Sequence, residues 1–383
     1  MTEPQADRRA KYLSAALATA VTVAFSYLAV RNVDIGELGG SLRESNYWFL
    51  LPAFGLLVIA FFLRVLRWRC LFAPGTRPGW LPATEALLLG QFLNSVLPFR
   101  AGDAARIVAL RSFGGPSRVE TAGTVVIERV FDVLALLLLL FALLPVVPEV
   151  TWLRAAGVLV IVLTLALAVA VVVLRVYGER AIAFCLRPLA RLPFLSEARV
   201  EAAIGNLTAG VIAIRSGRIG LIAFLWTLVS WLALGASFWV LMLGFDFELS
   251  PVASLLVIIA TGLSHLLPSA PAAVGVFEAA AIVALGAYGI PQTQALSYAL
   301  VVHALNVVPF LLAGLLVVNL RRDVLGRSLR RKRRGKGLVE DGGNLERPAG
   351  GTGADRRGAG DDEDDVSEPA DGHLHVDDVR EAR

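Results

Sequence analysis

The sequence contains few of the residues and motifs that carry soluble enzyme chemistry. Its 383 residues include two cysteines, Cys70 and Cys185, too few for a disulfide framework or a cysteine-based zinc site. It contains no Walker motif, dinucleotide-binding fingerprint, HExxH or GxSxG. Lysine is nearly absent, so arginine supplies the positive charge. These absences predict a protein that is not an enzyme and that binds neither a metal nor a cofactor.

Long apolar runs are what the sequence has instead. Hydrophobic residues make up 56% of the chain and its mean hydropathy is +0.67, whereas soluble domains contain about 45–50% apolar residues. A helix needs about 20 apolar residues to cross a membrane. We interpret the first run as a span rather than a signal peptide, because it is long and lacks a convincing cleavage site. The runs predict six full spans, at about 11–30, 47–68, 119–145, 152–175, 219–243 and 293–318.

Basic residues orient these spans, because they favour the cytoplasmic side of a membrane. They cluster at the N-terminus and in residues 64–69, 175–218 and 321–334. The segments that are poor in basic residues are predicted to lie outside, and they are 31–46, 146–150 and 244–250. The pattern predicts a multi-pass protein of the cytoplasmic (inner) membrane with both termini in the cytoplasm.

Two further apolar segments, about 80–113 and 251–289, are interrupted near the middle by Pro98 and Pro268. Each begins and ends on one side of the membrane, which predicts two re-entrant hairpins that enter from opposite faces. The segments also resemble each other: GQFLNSVLPFRAGDAAR and TGLSHLLPSAPAAVGVFEAA share a polar residue, an aliphatic pair, proline, small residues, glycine and an acid. Paired broken segments are typical of inverted-repeat transporters. The predicted fold class is therefore an all-α polytopic membrane protein with an inverted repeat.

The chain divides into three predicted regions. Residues 1–320 form a membrane domain, with a first repeat region at 11–175, an interfacial cytoplasmic segment at 176–217 and a second repeat region at 218–320. Residues 321–334 are a basic juxtamembrane segment, which anionic lipids attract. Nucleic-acid binding is disfavoured because a span and an acidic tail flank this segment. The tail, 335–383, is rich in Gly, Asp and Glu and is predicted to be disordered.

Charged residues inside the apolar segments are the strongest functional signals, since each is costly in a membrane unless paired or hydrated. In VVIERVFDVLAL, Glu128 and Asp132 share a helix face and Arg129 lies beside them. Two interpretations stay open. The carboxylates form a structural ion pair with Arg100 or Arg106 that fastens the first hairpin, or they handle substrate or protons.

The first hairpin places further polar residues around its break. Asp103 is predicted to cap the helix that restarts near Gly102. Arg100 and Arg106 suit a phosphate site, because a guanidinium donates to two phosphate oxygens, and snorkelling to lipid headgroups is the alternative. Asn94 is either a headgroup contact or a polar contact between helices.

In the second hairpin and the last span, Glu278 and His303 suit proton handling, and an ordinary hydrogen bond between helices is the alternative for the histidine. His265 precedes the break of this hairpin. By contrast, Arg64, Arg67 and Arg69 at the end of the second span are typical of interfacial anchors.

Three stretches in this order, NSVLPFRAGDAAR, VVIERVFDVLAL and PAAVGVFEAAAIVALGAYG, resemble the lysylphosphatidylglycerol synthase transmembrane (flippase-like) family over roughly residues 11–320. The resemblance implies a bacterial or archaeal inner-membrane protein. In full-length aminoacyl-lipid synthases this region is the flippase for aminoacylated phosphatidylglycerol, and relatives are associated with hopanoid or lipid-linked glycan pathways. After residue 334 we expect no aminoacyl-transferase domain.

The leading hypothesis is a translocase that moves a phosphate-bearing lipid, such as an aminoacylated or glycan-linked lipid, between leaflets. Arg100, Arg106 and Arg129 would bind phosphate, and Glu128 and Asp132 would balance their charge. The first alternative is a membrane enzyme for lipid-linked substrates, with Glu128, Asp132 or Glu278 as general acid or base. The second is an accessory partner whose acidic tail recruits a lipid-modifying synthase.

Overall fold

The computed structural model describes residues 5–31, 33–97, 100–148, 217–264 and 271–342, and scattered residues between 162 and 205. Within these residues the secondary structure is helical, without strands. The α-helices are α1 (Gln5–Val30), α2 (Ile35–Glu44), α3 (Leu50–Cys70), α4 (Trp80–Val96), α5 (Ala101–Ser112), α6 (Arg118–Leu143), α7 (Glu179–Leu186), α8 (Gly217–Gly244), α9 (Pro251–Ser264), α10 (Val276–Gly286) and α11 (Gln292–Gly342).

Among the described residues, three stretches are long and apolar enough to cross a membrane: Tyr47–Cys70, Gly217–Gly244 and Gln292–Arg322. They confirm the spans predicted at about 47–68, 219–243 and 293–318. Helix α6 covers the span predicted at 119–145, although charged residues interrupt its apolar sequence. Helix α1 covers the first predicted span, with a shorter apolar part at Thr19–Val30. The span predicted at 152–175 lies almost entirely outside the described residues.

The helices occur twice in the same order of lengths. A long helix, α3, is followed by the shorter α4 and α5 and then by the long α6; the long α8 is followed by α9, α10 and the long α11. Helices α3 and α8 pack against each other along their length. The Ser237 hydroxyl donates to the Ala53 carbonyl at 2.7 Å, so small residues at this contact allow a close approach. The core of the molecule lies around this helix pair.

The first broken segment is a helical hairpin in which α4 and α5 pack against each other. A Cβ added at Gly102 would lie 1.9 Å from the Gly90 carbonyl oxygen, so the two backbones meet where only glycine fits. The Asn94 side-chain oxygen accepts from the Gly102 N–H at 2.9 Å. Arg100 precedes α5 in the left-handed conformation, with φ 51° and ψ 37°. Pro98 lies outside the described residues.

The second broken segment has the same architecture with different backbone geometry. A 3₁₀ turn, Pro271–Ala273, precedes α10, and α10 packs against α9. Ala272 and Ala273 both have positive φ, 56° and 58°. Gly275, with φ 81°, lies against Ser26 of α1, so a side chain at this position would be excluded. His265 and Pro268 lie outside the described residues.

Helix α11 continues past the membrane-length segment to Gly342. It therefore includes the basic segment 321–334 and passes residue 335, where the sequence predicts the start of the disordered tail. Arginine, leucine and lysine make up most of residues 321–334, and all three are good helix formers. Residues 343–383 lie outside the described residues. Of the predicted interfacial segment 176–217, the structure describes α7 and a few further residues, so its position at a membrane surface stays a prediction.

Candidate functional site

A cavity of about 440 Å³ lies between the two helical hairpins. Its walls come from the long helices α3, α6, α8 and α11, from all four hairpin helices and from both breaks. Ligand pockets in proteins usually have volumes of about 300–1,000 Å³. The ionisable residues that line it are Arg64, Arg67, Arg100, Arg106, Glu128, Arg129, Asp132 and His303. Most of the charged residues singled out in the sequence therefore come together in one space.

Glu128 is the centre of the charge cluster. Its carboxylate lies 2.7 Å from an Nη of Arg67 on α3 and 3.0 Å from an Nη of Arg106 on α5. Arg129, the next residue on α6, approaches it at 3.3 Å. Glu128, Arg67 and Arg106 are 4%, 1% and 2% exposed. One buried carboxylate thus joins three helices.

Two further carboxylates extend the cluster on either side of Glu128. Asp132, one turn along α6, pairs with Arg67 and lies 3.4 Å from Arg129. Asp103, in the first turn of α5, lies 3.4 Å from Arg129 and 3.5 Å from Arg106. These pairs connect the first hairpin to α6 through charge-assisted contacts.

Aromatic and hydroxyl groups hold the arginine side chains in place. The Arg106 guanidinium lies 5.1 Å from the Trp68 ring centre, and Trp68 donates its indole N–H to the Thr124 hydroxyl at 3.1 Å. Arg67 also approaches the Thr227 hydroxyl at 3.4 Å. Because these contacts come from α3, α6 and α8, the helix packing itself orients the guanidinium groups.

Arg64 and Arg100 differ from the other cavity arginines. Both are partly buried, and neither has a carboxylate of the described residues within salt-bridge distance. The Arg64 guanidinium lies 5.2 Å from the Trp231 ring centre. These two side chains present unpaired positive charge to the cavity.

Some buried N–H groups of the cluster also lack a hydrogen-bond acceptor. Within the described part of the chain, these are the Nε of Arg67 and the Nε of Arg106. A buried donor without an acceptor costs about 1–3 kcal/mol, more when the group is charged. The cluster can therefore still accept an oxyanion.

Glu278 and His303 form a separate pair on the other side of the cavity. The His303 Nε2 lies 2.9 Å from the Ala272 carbonyl oxygen, which can only accept, so Nε2 carries a hydrogen. The His303 Nδ1 faces one carboxyl oxygen of Glu278, and this contact requires one proton between them. The second Glu278 oxygen accepts from the Gly275 N–H at 2.7 Å. The pair thus carries no net charge and holds the backbone of the second break.

The structure brings together most of the predicted site residues, with one correction, which concerns Asp103. Asp103 lies in the first turn of α5 as predicted, but its carboxylate pairs with arginines and caps no backbone N–H among the described residues. Snorkelling of Arg106 is excluded by its burial. The Arg106–Glu128 contact is the ion pair of the structural interpretation, whereas Arg100 makes no such pair. Asn94 lines the cavity and also holds Gly102.

The prediction that Arg64, Arg67 and Arg69 are interfacial anchors was wrong for Arg67 and Arg64. Arg67 is the most central cation of the cluster, and Arg64 lines the cavity. Arg69 instead donates to the Pro78 carbonyl and lies over Trp80. The helical spacing could have separated Arg69 from the other two arginines. Residues 64 and 67 share a face, whereas residue 69 points about 140° away from residue 64.

The fold and the cavity define the class of protein. Spans of membrane length, two broken helical hairpins and a buried charge cluster make this an all-α integral membrane protein. The sequence matches the family model for the lysylphosphatidylglycerol synthase TM region over residues 15–314. Since this match covers more than three quarters of the chain, the protein belongs to that family, which ties it to lipid biosynthesis. Comparisons with curated proteins and with solved structures found no match.

Proposed function

We propose that the protein is a translocase that moves a phosphate-bearing lipid headgroup between membrane leaflets. The observation that carries the proposal is a cavity of headgroup size lined by five arginines, two of which have no carboxylate partner among the residues that the structure describes. Guanidinium groups bind phosphate oxygens in pairs. Membership of the lysylphosphatidylglycerol synthase TM family supports a lipid substrate.

In this proposal the two hairpins are re-entrant and belong to an inverted repeat. The repeated order of helices and the left-handed residues at both breaks support it. Irregular backbone is tolerated at membrane depth where it lines a cavity, and both breaks line this one. Headgroup binding at the contact of two repeats is the arrangement used by many transporters.

We place the protein in the cytoplasmic membrane with both termini inside the cell. The basic segment 321–334 supports this orientation. Membrane lipids are its proposed partners, together with a lipid-modifying synthase that supplies the transported lipid. Cysteine labelling of intact cells tests the orientation. A label added outside should reach a cysteine placed at Asp246 and not one placed at Gly342.

Arg100→Gly tests the transport function with little risk to the fold. Glycine accepts the left-handed conformation of residue 100 without strain. In vesicles that contain the purified protein, labelled phosphatidic acid should change leaflet at least about tenfold more slowly with this variant than with wild type. Arg69→Gln is the matched control, because Arg69 does not line the cavity, and it should retain the wild-type rate.

Equal rates for wild-type protein, Arg100→Gly and protein-free vesicles, at equal amounts of folded protein, would exclude the proposal. The recovered lipid should also have an unchanged mass. A mass change would instead identify a membrane enzyme that acts on its lipid substrate.

A further inference from the structure

The charges around the cavity do not balance. Five guanidinium groups, those of Arg64, Arg67, Arg100, Arg106 and Arg129, face three carboxylates, those of Asp103, Glu128 and Asp132. The Glu278–His303 pair is neutral wherever its proton lies. Among the described residues, two positive charges are therefore uncompensated.

This excess positive charge lies inside the protein, where it is energetically unfavourable. Uncompensated charge inside a membrane protein costs several kcal/mol for each group. Two side chains that are at least nine-tenths buried, Arg67 and Arg106, line the cavity, and each Nε has no acceptor among the described residues. The unpaired charge and the unused donors lie around one space, so a single oxyanion could satisfy both.

We infer that the cavity selects a lipid whose headgroup ends in a phosphomonoester, and that it disfavours lipids whose headgroup carries an added amine. This inference rests on the proposed function and narrows its substrate class. A phosphomonoester carries about −1.5 to −2 charges at pH 7, which matches the two uncompensated arginines. A phosphodiester supplies one negative charge, and an aminoacyl group adds positive charge to a cavity that already has too much.

The experiment compares lipids that differ only in headgroup charge. Phosphatidic acid is a phosphomonoester, and phosphatidylmethanol is the same lipid with one methyl ester and one charge less. Binding to the purified full-length protein is measured by native mass spectrometry, and leaflet exchange is measured in vesicles. Phosphatidic acid should bind about tenfold more tightly than phosphatidylmethanol. Phosphatidylethanolamine, which contains an amine, should bind more weakly than both.

Two single variants sharpen the test. Arg64→Gln and Arg100→Gly each lower the cavity charge from two to one, so each should reduce the preference for phosphatidic acid to near equality with phosphatidylmethanol. Arg69→Gln keeps the cavity charge and should keep the wild-type preference. An unchanged preference in both cavity variants would overturn the inference.

The outcomes separate this inference from the proposed function. Equal binding and equal transport of phosphatidic acid and phosphatidylmethanol by wild type would overturn the phosphomonoester assignment and leave translocation standing. Preferred binding of phosphatidic acid without any leaflet exchange would support the site and exclude translocation. Inorganic phosphate that displaces phosphatidic acid at the same concentration would overturn the lipid assignment, because the chains would then contribute nothing to binding.

Discussion

The two hairpins have a similar backbone break but different electrostatics. In both, a helix breaks inside the fold and a residue other than glycine adopts the left-handed conformation before the next helix, Arg100 in the first hairpin and Ala272 in the second. Around the first break, arginines outnumber carboxylates. At the second, a neutral Glu278–His303 pair holds the backbone.

This difference indicates that the two hairpins have different roles. The break of the second hairpin is satisfied by protein groups, since His303 of α11 holds the Ala272 carbonyl and Glu278 of α10 holds the Gly275 N–H. Among the described residues, the first hairpin retains one cation without a carboxylate partner, Arg100, and one donor without an acceptor, the Arg106 Nε. We therefore expect substitutions in the first hairpin to alter both stability and ligand binding, and substitutions in the second to alter stability alone.

Glu128→Gln should give the largest effect. It leaves Arg67 and Arg106 buried without their shared carboxylate, and breaking a buried ion pair costs about 3–5 kcal/mol. The free energy of unfolding, measured by SDS titration of the purified protein in detergent, should fall by this amount. Glu248→Gln, at an exposed carboxylate, should leave it unchanged within about 0.5 kcal/mol. Equal stability of the two variants would mean that the cluster does not hold the first hairpin.

Gly102→Ala should be next. The added Cβ would overlap the Gly90 carbonyl oxygen, a backbone atom that cannot rotate away, and such overpacking costs about 1–3 kcal/mol or more. The same titration measures it. Gly286→Ala is the control, because the space around Gly286 is open. Wild-type stability of Gly102→Ala would contradict the close packing of α4 on α5.

Glu278→Gln should destabilise the protein less than Glu128→Gln does. Glutamine can still accept from the Gly275 N–H, and His303 can still donate to the Ala272 carbonyl, so the expected cost is about 1 kcal/mol. Phosphatidic acid binding should stay within about twofold of wild type. A loss of binding as large as that of Arg100→Gly would contradict the proposed difference between the two hairpins, since it would place the second hairpin in the ligand site.

Glycine at the two left-handed positions should give the smallest effect. Arg100→Gly and Ala272→Gly each relieve a backbone conformation that costs about 1–2 kcal/mol for other residues, less the entropy that glycine loses on folding. Both should change unfolding free energy by less than about 1 kcal/mol, with Ala272→Gly keeping transport and Arg100→Gly losing it. Loss of transport in both variants would show that transport depends on backbone strain at these positions rather than on the charge of Arg100.

Many residues of this site could be predicted from the sequence, but the pairs that they form could not. The residues Glu128, Asp132 and Arg106 are conspicuous because charges are rare in apolar helices. Arg67 was misassigned because its position near the end of α3 resembles that of an interfacial anchor. Its partner is 61 positions away, and no local pattern indicates which helix faces it. Asp103 was misassigned as a cap for the same reason, since its competing partner Arg129 lies on another helix.

The sequence by itself determined the membrane class, the apolar helices, the places where two of them break and the family. Apolar content and helix-breaking residues act locally, so they can be read without a partner. The tertiary structure decided which carboxylate pairs with which arginine, and therefore which arginines stay unpaired. The charge of the cavity is a sum over several packed helices and both hairpin breaks, and only their packing in space defines its members.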